Sequence, residues 1–237
     1  MKKTMLTLFF AVAVFLVQSC NKISGTGPVV SKSYNYTGFN AIDVGIDGDV
    51  YFRQDSVYKV EIQAQQNILD IIHTNLSGTE LQLSFEKYQN VGAHDKITVY
   101  ISGPFLTKAG INGSGNLHVL EPLSGNTINL KVNGSGSLSF ARISCQTLNA
   151  DISGSGSISI NGGGVTYENL QISGSGSIDA QSMSADEAVS NTSGSGTKRL
   201  SVKNKLTVHI SGSGDVYYTG NPSVQSSVSG SGKLHHN

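Results

Sequence analysis

Tryptophan is absent from this chain of 237 residues, cysteine occurs twice, proline four times, and charged residues make up only 14%. So little charge leaves no material for the polar faces of a helical bundle and suits an all-β chain rich in turns. Neither sign of charge is in excess, with 16 basic and 16 acidic residues, so there is no basic patch and nucleic acid is not an expected partner. Two cysteines cannot build a disulfide framework. No apolar run reaches the length of a spanning helix: the longest, from Met5 to Val17, is too short.

That run follows Lys2 and Lys3 and precedes Val17-Gln18-Ser19-Cys20, the layout of a targeting segment. A small residue before cysteine resembles a bacterial lipobox, although Gln18 departs from it. Residues 1–19 therefore read as a lipoprotein signal peptide, Cys20 as the lipidation site, and residues 20–33 as the lipidated N-terminus and tether. The alternative is ordinary cleavage near Ser19 with Cys20 a bystander. Acyl chains would hold the protein to a membrane without crossing it, which places it in the cell envelope, with the outer membrane first. Asn21-Lys22-Ile23-Ser24 lacks the acidic cluster that exports some bacterial lipoproteins to the cell surface, which tilts the reading toward the periplasm. Cys145 is then left alone and reads as a small buried apolar residue.

Glycine is plentiful, at 28 residues, and half of them are periodic. Gly-Ser-Gly recurs seven times, with glycines at Gly113 and Gly115, Gly134 and Gly136, Gly154 and Gly156, Gly174 and Gly176, Gly194 and Gly196, Gly212 and Gly214, and Gly230 and Gly232. Successive copies lie 18 to 21 residues apart, the signature of a coil that stacks on itself. Alternating runs such as Ile128-Leu130-Val132 and Leu206-Val208-Ile210 enter each copy, and period two with β-branched residues means strand. The parity of Ile152, Gly154, Gly156 and Ile158 places apolar residues and both glycines inside and the serines outside. One such turn buries too little to order itself, so neighbouring turns must supply its hydrogen bonds and its core. The expected fold is an all-β, parallel β-helix-like solenoid with Gly-Ser-Gly corners.

Outside the corners, Asn112, Asn133, Ser153, Ser173, Ser193, Ser211 and Ser229 should form a polar ladder. It would suit a glycan or another repetitive polar surface, and small polar residues equally suit a tight exposed corner. The fifth copy breaks the rule by placing Thr192 and Lys198 in apolar slots. A buried lysine is costly, so this turn is expected to bulge, shift register or meet a partner, a bulge first. Upstream, residues 34–103 read as irregular first turns and 104–237 as the regular repeats of one domain. Ile46-Asp47-Gly48-Asp49-Val50 and Ile101-Ser102-Gly103-Pro104 echo the later corner, and Ile68 to Ile72 suggests a short helical or irregular turn.

Asn40-Ala41-Ile42-Asp43-Val44, Gly48-Asp49-Val50-Tyr51-Phe52, Gly78-Thr79-Glu80-Leu81 and the serial Ile-Ser-Gly-Ser-Gly-Ser-Ile corners together resemble the bacterial auto-transporter adhesin, head GIN domain family. The resemblance spans roughly residues 34–236. It implies a right-handed superhelix akin to pectin-lyase-type solenoids without their catalytic residues, and a role in adhesion. A lipobox in place of an outer-membrane translocator departs from a true autotransporter.

Chemistry is scarce. There is no phosphate-binding Gly-x-x-x-x-Gly-Lys, no His-Glu-x-x-His and no Cys-x-x-Cys, so no cofactor and no metal is expected. Asp151, Asp179 and Asp215 sit at different offsets from their corners and form no carboxylate pair. His235-His236 reads as a solvated tail. Gly162-Gly163-Gly164 hints at calcium-binding rolls but lacks their nonapeptide period. Asp55-Ser56-Val57 resembles an O-glycosylation acceptor triplet at Ser56 and would equally serve as a turn. The reading is a non-catalytic envelope lipoprotein that binds glycan or cell-surface material. A structural periplasmic lipoprotein is the alternative, and a polysaccharide-active enzyme a distant one. An oligomer is compatible with all three.

Overall fold

Each Gly-Ser-Gly is a corner at which one strand ends and the next begins. The structure, a computed structural model, describes residues 22–237; residues 1–19, read as a signal peptide, and Cys20, read as the lipidation site, lie outside the described residues. The first glycine of every corner has φ between +117° and +141°, a conformation closed to residues with a β-carbon except at a strain cost. The second glycine is buried and faces inward. The corner itself continues the ladder: Ser155 N donates to Gly134 O, and Ser175 N to Gly154 O, both at 2.9 Å. One detail of the parity changes. The first glycines, Gly154 among them, are partly or fully exposed instead of inward, because the left-handed residue rotates the chain before alternation resumes.

The chain is 71% strand and stacks parallel coils into a β-solenoid of about six turns. In order it runs β1 (Lys22–Ile23), β2 (Val29–Tyr34), β3 (Ala41–Gly45), β4 (Asp49–Gln54), β5 (Lys59–Gln65), helix α1 (Gln66–Leu69), β6 (Ile72–Ser77), β7 (Glu80–Phe85), β8 (Asn90–Val91), β9 (Thr98–Gly103) and β10 (Lys108–Gly113). The regular repeats follow as β11 (Asn116–Gly134), β12 (Ser137–Gly154), β13 (Ser157–Ile160), β14 (Gly163–Gly174), β15 (Ser177–Gly194), β16 (Thr197–Gly212), β17 (Val216–Thr219), β18 (Ser223–Gly230) and β19 (Leu234–His236).

From β10 onward sequence order is stacking order. Before it, they differ. β10 and β11 stack on β3 and β4, which in turn stack on β7 and β9. After β1 and β2 the chain thus enters the second coil, builds the first, and steps over to the third. The end of the stack is closed by antiparallel strands: β5 lies against β9, β6 against β7, and β2 against β5. Ile101-Ser102-Gly103, expected as a corner, is instead the end of β9 and pairs across this cap. The stretch assigned to a tether is also structured, since β1 pairs with β8 and β2 with β5.

Registers align the core into columns. Ile111, Val132, Ile152, Ile172, Thr192, Ile210 and Val228 form one; Leu117, Leu138, Ile158, Ile178, Lys198, Val216 and Leu234 form another. The fifth corner stays in register, with Ile178 opposite Lys198, and the irregularities of that coil fall beyond Ala180 and Ala185. No bulge removes Lys198 from the interior, where it is wholly buried.

Candidate binding faces

Stacking brings residues of distant sequence into one outward column beside the corners. Tyr100, Tyr51, His118, Ser139, Ser159, Asp179, Arg199, Tyr217 and His235 follow one another from coil to coil. Aromatic rings occupy both ends. Tyr51 stacks on Tyr100 at 5.7 Å and on His118 at 5.2 Å. At the far end Tyr217 stacks on His235 at 4.5 Å, with Arg199 5.3 Å from its ring.

Tyr51 and Tyr100 of the first stack line a groove of about 650 Å³ whose rim carries Arg53, Asp55, Lys59, Lys96, Leu120 and Glu121. A bulge shapes it. Between Val119 and Pro122, β11 carries one residue more than β12, which pushes Leu120 and Glu121 outward. Leu120 is 68% exposed, and Glu121 pairs with Arg53 at 3.3 Å. Beneath the rings Asp49 accepts from Lys96 Nζ at 2.5 Å and from Asn116 Nδ2 at 2.8 Å. Burial alone would raise the Asp49 pKa, but these two bonds hold it below its ordinary value. The bond to Asp49 raises that of Lys96.

The face before the corners is polar throughout. The expected ladder from Asn112 to Ser229 is in register, and Asn133 Nδ2 donates to Asn112 Oδ1 at 2.8 Å. Toward the last coils, Ser173, Ser193, Ser211 and Ser229 border a shallow groove of about 520 Å³ with Gln171, Asn191 and His209. Toward the first coils the same face turns charged. Lys108 bonds Glu80, and Asn112 Nδ2 reaches Asp43 at 2.6 and 2.8 Å.

Residues 38–222 match the family described as "Putative auto-transporter adhesin, head GIN domain". The chain belongs to that family. Among solved structures, this head GIN domain resembles a "putative adhesin" of Bacteroides fragilis NCTC 9343, with a TM-score of 0.86 and 24% identity over 91% of this chain and 100% of that one. It also resembles a "putative adhesin" of Parabacteroides merdae ATCC 43184, with a TM-score of 0.73 and 23% identity over 91% and 99%. A third neighbour is a "putative lipid binding protein" of Parabacteroides distasonis ATCC 8503, with a TM-score of 0.77 and 21% identity over 92% and 100%. At these identities the likeness is one of fold. No curated protein matches this chain. The family supports an adhesin-like, non-catalytic role and a place at the surface or in the envelope. Among the described residues no helix is long and apolar enough to cross a membrane.

Several residues of the head GIN domain sit differently from their sequence reading. His235 and His236 are not a solvated tail: β19 pairs with β17, and His236 stacks on Tyr218 at 4.6 Å. Cys145 is half-buried, not fully enclosed, and its Sγ contacts Thr147 O at 3.3 Å; burial pushes its pKa up to about 11. Asp151 stacks between Lys131 and Gln171, whereas Asp179 lies in the column of His118. Ser56 is exposed on an Asx turn closed by Val57 N to Asp55 Oδ1 at 3.1 Å. Among the described residues, no cluster of three or more histidine, cysteine, aspartate or glutamate side chains could hold a metal.

Two features escaped the sequence reading. The aromatic column joins Tyr51, Tyr100 and His118, which only stacking order brings together. The second feature is Glu168, wholly buried in the column of Leu148 and Ala188 with no hydrogen-bond partner for either oxygen. Desolvation raises its pKa to about 8 despite the Lys198 charge. Lys198 is lowered by burial to about 7, partly offset by Glu168. Its Nζ donates to Leu170 O at 2.9 Å, to Thr192 Oγ1 at 3.1 Å and to Asn191 O. Inward alternation, counted back from Ile172 through Leu170, is the signal that could have found Glu168.

Proposed function

We propose that this chain is a lipid-anchored envelope adhesin that binds glycan in the groove beside Tyr51 and Tyr100. The observation that carries the reading is the stack of Tyr100 on Tyr51, extended outside by His118, in a groove rimmed by Arg53, Lys59, Lys96 and Glu121. Aromatic rings offer apolar contact to the C–H faces of sugars, and the charged rim offers hydrogen bonds to their hydroxyls. The concave, partly apolar form with a few polar groups suits a ligand of this kind. The Ser-rich face before the corners would extend the contact surface toward the later coils.

A glycan array probed with the purified protein tests the proposal. Binding should fall at least tenfold in the Tyr51→Ala/Tyr100→Ala variant while circular dichroism is retained. Undiminished binding in that variant would move the site elsewhere. The periplasmic structural reading draws its support from the missing acidic cluster at Asn21–Ser24. Protease treatment of intact cells separates the two: an adhesin is cleaved, and a periplasmic protein is protected.

A further inference from the structure

The two ends of the solenoid are unlike. At one end β5 and β6 cover β9 and β7 with antiparallel pairing, and β2, the strand outside them, carries Lys32. At the other end, among the described residues, β18 has a backbone partner on one side only, β16. Every residue of β18 is exposed. Val224 and Val228 are 37% and 44% exposed, whereas the residues they stack on, Leu206 and Ile210, are buried. The core columns therefore end in open valines, and half of the backbone groups of an eight-residue strand point away from the molecule.

Exposed sheet edges ordinarily carry a lysine, a proline or a bulge that discourages pairing. Ser223–Gly230 has no proline and no charge, and its pairing with β16 is unbroken from Ser223 to Gly230. The strand also reads almost identically in both directions about Ser226: Ser223 matches Ser229, Val224 matches Val228, and only Gln225 and Ser227 differ. A strand that is its own mirror in sequence suits two-fold antiparallel pairing, in which each copy presents the same patch to the other.

We propose that a second copy of this chain docks on this edge, β18 against β18, with the two-fold axis at Ser226. In that register Val224 of one copy lies opposite Val228 of the other, on the face that continues the core. Since period-two alternation is preserved, the inward residues of one strand meet the inward residues of the other. The pairing buries no charge from the strand, and it fills the free backbone donors and acceptors. Such a contact closes after two copies, giving a dimer of doubled length with a capped strand layer at each end instead of an open filament.

Light scattering of the purified protein in solution reads the mass directly. Twice the mass of one mature chain is expected, and the Val224→Lys/Val228→Lys variant should return to the single mass with its circular dichroism intact. Both valines are exposed, so the variant does not disturb the packed coils. Ser226→Cys places a thiol at the axis and should give a disulfide-linked dimer on mild oxidation, whereas Ser155→Cys at an exposed corner should not. A single-chain mass for the unaltered protein at the highest soluble concentration overturns the proposal. So does a dimer that survives the lysine pair, or a dimer in which Ser226→Cys does not cross-link.

Discussion

A β-carbon placed on Gly156 would stand 2.5 Å from the carbonyl oxygen of Gly136, one coil away. The same β-carbon would meet Val132 Cγ1 at 2.5 Å. The second glycine of the corner is thus fixed by what is stacked against it, while the first, Gly154, is fixed both by its own backbone at φ +123° and by Gly134 O, 2.6 Å from where a β-carbon would stand. Ser155, between them, points to solvent.

Gly156→Val should therefore destabilise the protein by at least about 1–3 kcal/mol, because the clash is with backbone that cannot rotate away. Ser155→Ala should change stability by no more than about 0.5 kcal/mol. Denaturant unfolding of the two variants checks this, and equal, negligible effects would contradict the corner as described.

Glu168 makes stability depend on pH. Its folded pKa, about 8, lies above the ordinary 4.5, so between those values the folded state keeps a proton that the unfolded state has lost. Its contribution is full below pH 4.5 and declines as pH rises through 8. Lys198, lowered to about 7 from 10.5, acts in the opposite sense above pH 7. The melting temperature of the unaltered protein should therefore fall relative to Glu168→Gln as pH is raised from 4.5 to 7. A constant difference across that range would mean Glu168 is ionised in the fold.

Removing Lys198 alone has a different consequence. Lys198→Ala leaves a cavity and deprives Leu170 O, Asn191 O and Thr192 Oγ1 of a shared donor, and should cost about 3–5 kcal/mol. The double change Glu168→Leu/Lys198→Met removes both buried polar groups and should recover most of that loss. Thermal unfolding of the two variants at one pH, with the double variant the more stable, is the expected result.

The Cys145 thiol, raised to about 11 by burial, should react slowly with alkylating reagents at neutral pH because the thiolate is the nucleophile. Unfolding in denaturant should accelerate the reaction many-fold. Rapid labelling of the folded protein would show an opening of the coil at Thr147.

The proposed lipid anchor carries its own test. Cys20→Ala should move the protein from the membrane fraction to the soluble fraction, since acyl chains alone would hold it. Continued sedimentation with membranes would reveal a second anchor.

The sequence by itself determined the repeat, the inward and outward faces, the corners and the polar ladder. All of these depend on alternation and on glycine geometry within one coil, which neighbouring residues dictate. The buried Glu168 was within reach of the same counting, but the long strand between two corners hides its parity behind Tyr167 and Asn169. Tertiary structure alone decided that β7 and β9 stack outside β3 and β4, against the order of the chain. That step aligns Tyr100 with Tyr51 and His118 and so creates the aromatic groove. Tertiary structure also decided that antiparallel strands close one end while β18 leaves the other open. Period and parity are local, but which coil lies beside which is settled by hydrogen bonding and core burial between segments dozens of residues apart, and no local pattern records that choice.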